Sequence, residues 1–139
     1  LDTQISIRTV INVKLVENKI RYWEFIRVLR NEQTVKEGFI QQDQISRWSH
    51  FRFMLKNGKH YYICLQADNP VGFVGQIDGD IRVAVNPEYQ GKGVGKFMIN
   101  QIMKLHPESI AKVKLGNEAS IRLFESCGFE KKYYILERD

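Results

Sequence analysis

The run QGKGVGK at residues 90–96 constrains this chain more than any other stretch. Its glycines alternate at 91, 93 and 95, and an apolar-periodic segment follows at once. Glycine loses the most conformational freedom on folding, so such a cluster implies a turn only glycine makes or a ligand lying close to the backbone. The preceding DIRVAVN (80–86) alternates as a strand does. After the glycines, Val94, Met98, Ile102 and Leu105 recur at helical spacing, and His106-Pro107 stops the helix. The cluster therefore joins a strand to a helix. There, successive backbone N–H groups can point into one concavity, and the helix N-terminus adds partial positive charge. A pyrophosphate suits such a nest; a plain glycine-rich turn is the alternative.

Two phosphate-binding patterns fail on inspection. A P-loop requires G-x-x-x-x-G-K-[ST], but Gln90 stands at its first glycine and Phe97 at its Ser/Thr. A dinucleotide fingerprint, G-x-G-x-x-G, belongs in the first strand–helix unit. Here Lys96 replaces the third glycine, and three strands already precede the site. What remains is Gln90-x-x-Gly93-x-Gly95, with Lys92 and Lys96 at its rim.

The rest of the chain predicts one domain over residues 1–139. A first strand is expected within 5–15, and an amphipathic helix over 21–32 carries Tyr22, Phe25, Ile26 and Leu29. A second helix is expected over 44–59. Strands follow over 60–68, 70–78 and 80–86, with Asp78-Gly79 as a strong hairpin signal. After the helix 93–105 come a strand at 109–115, a helix at 117–126 and a closing strand at 131–138. This order implies an α/β or α+β mixed sheet covered by helices. Asn117 is a favoured N-cap, and Gly128-Phe129 has the form of a glycine C-cap with a following apolar contact.

Composition excludes several classes. Hydrophobic residues at 43% and charged residues at 27% fit a globular protein. No apolar run reaches the ~18 residues of a membrane span, and the first residues lack a signal-peptide layout. Cys64 and Cys127 form neither a metal-ligand spacing nor a disulfide framework, so no metal and a reducing cytoplasm are expected. The net charge of +5 favours anionic partners. The Lys and Arg residues are scattered, however, which argues against nucleic acid; a phosphate-bearing small molecule fits the same charge, and a mildly basic surface with no such partner is the alternative.

Two segments together resemble the GNAT superfamily of acetyl-CoA-dependent N-acetyltransferases. The family's Q/R-x-x-G-x-G/A is matched by Gln90, Gly91, Lys92, Gly93, Val94 and Gly95 between a strand and a helix. Its later motif is matched by Asn117, Ser120, Phe124, Glu125, Gly128 and Phe129. The resemblance implies a mostly antiparallel sheet of six to seven strands with about four helices. That sheet would splay between strands 80–86 and 109–115 to admit the pantetheine arm. It further implies that acetyl-CoA is the co-substrate, held by the backbone of Val83 and Val85, by residues 90–96, and by Asn117, Ser120 and Phe124.

The implied chemistry is direct attack of a neutral primary amine on the thioester carbonyl. Relatives place a Glu about six residues before the strand's last valine, which here falls on Gly79; Asp80 beside it becomes the candidate proton acceptor. Relatives commonly carry a Tyr, thought to protonate the leaving thiolate, where this chain has Phe124. A finer resemblance lies in LRNEQTV (29–35) and QISRWSHFRFM (44–54), which are similar to a branch acting on nucleotide-linked amino sugars in pseudaminic acid synthesis. On that resemblance Arg30, Asn31 and His50 would bind the acceptor. A cytoplasmic monomer or homodimer is expected. The alternatives are a protein N-terminus or small polyamine as acceptor, or a non-catalytic coenzyme A sensor.

Overall fold

In the computed structural model of the chain, residues 12–139 are described. The expected first strand over 5–15 lies partly outside them; its described part contributes to β1, Lys14–Glu17. Helix α1 follows over Ile20–Asn31, then the single turn α2 over Gln33–Lys36 and helix α3 over Arg47–Asn57. Strands β2 (Tyr61–Gln66), β3 (Asn69–Ile77) and β4 (Asp80–Val85) complete an antiparallel sheet in the order β1-β2-β3-β4. Helices α4 (Val94–Leu105) and α5 (Glu118–Ser126) close the described architecture.

The sheet carries a core on each face, as strand alternation requires. On one face, Tyr22, Ile26 and Leu29 of α1 and Met54 of α3 pack on Tyr61, Ile63, Leu65, Phe73 and Ala84. On the other, Val94, Met98, Ile99 and Ile102 of α4 and Phe124 of α5 pack on Cys64, Val71, Val74 and Ile81. The register shift at Cys64/Leu65 inserts Val71 opposite β2 and turns it to the α4 face. Burial pushes the Cys64 thiol up to about 12, which leaves it a packing residue without nucleophilic character.

Four expectations are corrected. The sheet has four strands among the described residues, fewer than the six to seven expected. Segment 109–115 meets β4 through a single parallel bridge, Asp80 to Ile110, and then departs; one bridge builds no ladder. Segment 131–138 has a strand's composition but pairs with no strand among the described residues, and Tyr133 and Leu136 stand 89% and 94% exposed. Leu105, expected on the apolar face of its helix, is 52% exposed, while Ile99 is fully buried in its place. The hairpin at Asp78-Gly79 forms as expected, with both residues at positive φ and Ile77 paired to Asp80.

Candidate active site

The outer edge of β4 is the natural starting point. The Ile81 N–H donates to the Ile110 carbonyl at 3.0 Å, away from β3. Because backbone direction alternates, the N–H and C=O groups of Val83 and Val85 face the same way. Past Ile110 no strand pairs with them among the described residues. The result is a splay: β4 and the segment after Ile110 touch at one end and leave backbone groups open beyond it. The side chains of Ile81, Val83 and Val85 meanwhile pack toward α4 and α5, so core packing and an open backbone edge coexist.

This edge runs directly into the glycine turn. Asn86 caps a short 3-10 turn over Pro87–Tyr89 by accepting from the Glu88 N–H at 3.0 Å. Gln90 then folds back so that its Nε2 donates to the Val85 carbonyl at 3.3 Å. Gly91 and Gly93 adopt φ of +75° and +86°, and Gly93 is the N-cap of α4. An L side chain at either position is strained. Gly95 answers a different demand, since an added Cβ would lie 3.0 Å from Leu123 Cδ2 where α4 crosses α5. The first α4-closing bond is Phe97 N–H to Gly93 O, and the N–H groups of 91–96 meet no acceptor among the described residues. An open array of donors at a helix N-terminus suits an anion. Lys92 lies over the Tyr89 ring at 5.4 Å, at the rim of this array.

Helix α5 forms the other wall. The Asn117 Oδ1 accepts from the Ser120 N–H at 3.2 Å, and its Nδ2 donates to the Gly38 carbonyl at 3.3 Å. Asn117 thereby fastens α5 to the segment between α2 and α3. At the C-terminus of α5, Phe129 N–H donates to Phe124 O and Gly128 N–H to Glu125 O, a Schellman cap. The Phe124 and Phe129 rings meet edge to face at 5.1 Å. Phe124 is buried in the core beside α4.

The remaining sequence candidates divide. Asp80, at the start of β4, pairs with Lys112 at 3.2 Å. Arg30 stacks its guanidinium 3.6 Å over the Phe39 ring and donates from Nη2 to the Gln41 carbonyl at 2.6 Å. Burial draws its pKa down to about 10, which leaves it cationic near neutrality. Asn31 exchanges both amide bonds with Ile45, at 2.8 and 2.7 Å. It therefore fixes the start of α3 relative to α1. His50 is 5% exposed, and its Nε2 donates to the Trp23 carbonyl at 2.8 Å. Of these three, Arg30 alone keeps an unpaired donor, its buried Nη1. Sequence reasoning passed over Arg82, although a lone arginine inside the apolar run IRVAV was a visible signal. Among the described residues no cluster of His, Cys, Asp or Glu could hold a metal ion, and no helix is long and apolar enough to cross a membrane.

A splayed strand edge leads into a glycine-lined helix N-terminus, an arrangement that suits an extended ligand with an anionic end. Residues 22–129 match the acetyltransferase (GNAT) family, and the chain belongs to it. It is an acyltransferase by that membership. Among solved structures it is similar to a spermidine N-acetyltransferase from Vibrio cholerae in complex with coenzyme A and spermine. That match has 19% identity and a TM-score of 0.77, covering 91% of this chain and 85% of the other. It is similar also to an N-acetyltransferase from Staphylococcus aureus Mu50, at 14% identity and TM-score 0.72, covering 86% and 84%. An aminoglycoside acetyltransferase, AAC(6')-Ib, in complex with coenzyme A matches at 17% identity and TM-score 0.67, covering 87% and 86%. Comparison with curated proteins yields no match.

Proposed function

We propose that this chain transfers the acetyl group of acetyl-CoA to a primary amine. The observation that carries this reading is the continuity of backbone groups left open among the described residues, from Val83 and the Val85 N–H into the N–H array of residues 91–96. The strand edge suits the amides of a pantetheine arm, and the glycine turn suits a pyrophosphate. Bound acetyl-CoA supplies a thioester carbonyl that a neutral amine attacks, giving an amide and coenzyme A thiol.

The chain's own groups have definite tasks in this scheme. An outward N–H of β4, from Val83 or Val85, donates to the carbonyl oxygen as negative charge develops on it. Asn117 and Ser120 set the opposite wall, and Phe124 packs behind it. Asp80 is the proposed proton acceptor. Three residues of extended strand separate it from Val83, about 10 Å, so the proton reaches it through water. The resemblance at Arg30, Asn31 and His50 supports a nucleotide-linked amino sugar as acceptor. Arg30 supplies the charge for a phosphate, while Asn31 and His50 hold the two helices that frame it.

Calorimetry with coenzyme A, followed by thiol release from acetyl-CoA across UDP-amino sugars, polyamines and peptides, tests the proposal. Amine-dependent thiol release with an amide product is the expected result. Tight coenzyme A binding without release toward any amine moves the chain to the sensor reading. Absence of coenzyme A binding overturns both.

A further inference from the structure

Resting on the acetyl-transfer reading, we propose that the acceptor amine also carries an anionic group, phosphate or carboxylate, which pairs with Arg82 and draws on the charge of Arg30 beside it. The alternation of β4 turns Arg82 to the face opposite Ile81 and Val83, the face that carries Ala84 and the α1 core. Its row across the sheet is Tyr61–Gly75–Arg82. Gly75 contributes no side chain to this row. A Cβ added there would lie 2.7 Å from Tyr61 Cδ1, so the tyrosine ring occupies the space over the glycine, between the flanking strands.

Arg30 lies in the last turn of α1, on the helix whose core face packs over this row, and its charge acts on the row. Both guanidinium charges act on the buried Tyr61 phenol, opposing the effect of its burial, and the Arg82 charge acts unfavourably on Arg30. Neither arginine has a carboxylate partner among the described residues. The acidic side chains of the adjoining segment are engaged elsewhere: Glu32 with Thr34 and the Val35 N–H, Glu37 with Gln33, Asp43 with Gln41. Two half-buried like charges without a counterion are unfavourable in the free protein. An incoming anion relieves that cost, and a polycation aggravates it.

The position fits an acceptor as well as the charge does. Arg82 immediately precedes Val83, whose N–H faces the open edge of β4, so one small molecule can span both. The segment carrying Phe39 and Gln41 covers Arg30 and is tied through Gly38 to Asn117 at the opposite wall. Arg30 thus lies behind this strap as a source of field, while Arg82 makes the direct ion pair. Spermine and aminoglycosides, named with two of the structural neighbours, are amines of opposite demand.

The test titrates four amines into protein saturated with coenzyme A, which keeps anions from the cofactor's phosphate site: glucosamine 1-phosphate and glutamate, with glucosamine and spermidine as comparators. One anionic amine is expected to bind at least tenfold tighter than both comparators, and phosphate is told from carboxylate by which one. Arg82→Gln should abolish that preference and Arg82→Lys restore part of it, with coenzyme A affinity as the control for folding. Tightest binding of spermidine, an anionic preference intact in Arg82→Gln, or equal or undetectable binding of all four overturns the proposal. If anionic amines bind in an Arg82-dependent way but none is acetylated, the anion site stands and the acetyl-transfer reading fails.

Discussion

The Asn117 side chain holds two distant parts of the molecule at once: it caps its own helix at Ser120 and donates to the carbonyl of Gly38, 79 residues away. Its two roles use different atoms, Oδ1 for the cap and Nδ2 for the tie. They can therefore be separated by substitution.

Asn117→Asp keeps an N-cap acceptor and loses the donor to Gly38; Asn117→Ala loses both. Loss of an N-cap costs about 1 kcal/mol, so Asn117→Ala should lower the urea midpoint clearly and Asn117→Asp should lower it less. Both should weaken acceptor binding, because the segment over Arg30 loses its anchor. Equal midpoints for the two variants would show that the cap contributes nothing here.

Gly93 sits at φ +86° directly before the donors of α4. Gly93→Ala should cost about 1–2 kcal/mol through the left-handed backbone conformation, and coenzyme A affinity should fall beyond that because the turn relaxes away from its nest. Gly95→Ala has no such strain; there Leu123 must give way by a few tenths of an ångström. Thermal unfolding and calorimetry on both variants separate a binding effect from a packing effect.

How far the sequence carries is plain from these positions. The glycine turn, the Asn117 cap, the Gly128-Phe129 cap and the Asp78-Gly79 hairpin were all legible, because each is a local pattern of a few residues with one physical solution. Asn31, His50 and Gln90 were legible as polar residues but not in their partners. Their bonds go to Ile45, Trp23 and Val85, and only packing fixes which carbonyl or N–H a side chain meets. The failed strands at 109–115 and 131–138 have the same origin. A strand needs an edge to pair with, and propensity does not supply one.

His50 makes stability depend on pH. Burial lowers its pKa below the ordinary 6.5, opposed by its bond to the Trp23 carbonyl and by Glu24, and aided by Arg27. The unfolded chain thus binds a proton that the folded protein resists, so this contribution is complete above pH 6.5 and declines as pH falls below it. His50→Gln can keep a donor toward Trp23 without titrating. Between pH 7.5 and 5.5 the wild type should lose more of its urea midpoint than His50→Gln; parallel losses would place the effect on other groups.

Phe124 tests whether a leaving-group acid is needed at its position. Its phenyl ring is buried against Phe129 at 5.1 Å and cannot donate a proton. A thiol of Cys-like pKa near ~8.5 makes the free thiolate only about 2 kcal/mol uphill at pH 7, so departure with water as the proton source is affordable. Phe124→Tyr adds a hydroxyl to a core position, and an unpaired buried hydroxyl costs about 1–3 kcal/mol of stability. The melting temperature should therefore fall while turnover of acetyl-CoA stays within about tenfold of wild type, which corresponds to about 1.4 kcal/mol of barrier. Single-turnover measurements with a competent amine are the right readout, since they isolate acetyl transfer from product release. A Phe124→Tyr protein that is a hundredfold faster would show that the chain lacks an acid its chemistry requires. The coenzyme A sensor would then be the better reading of the fold.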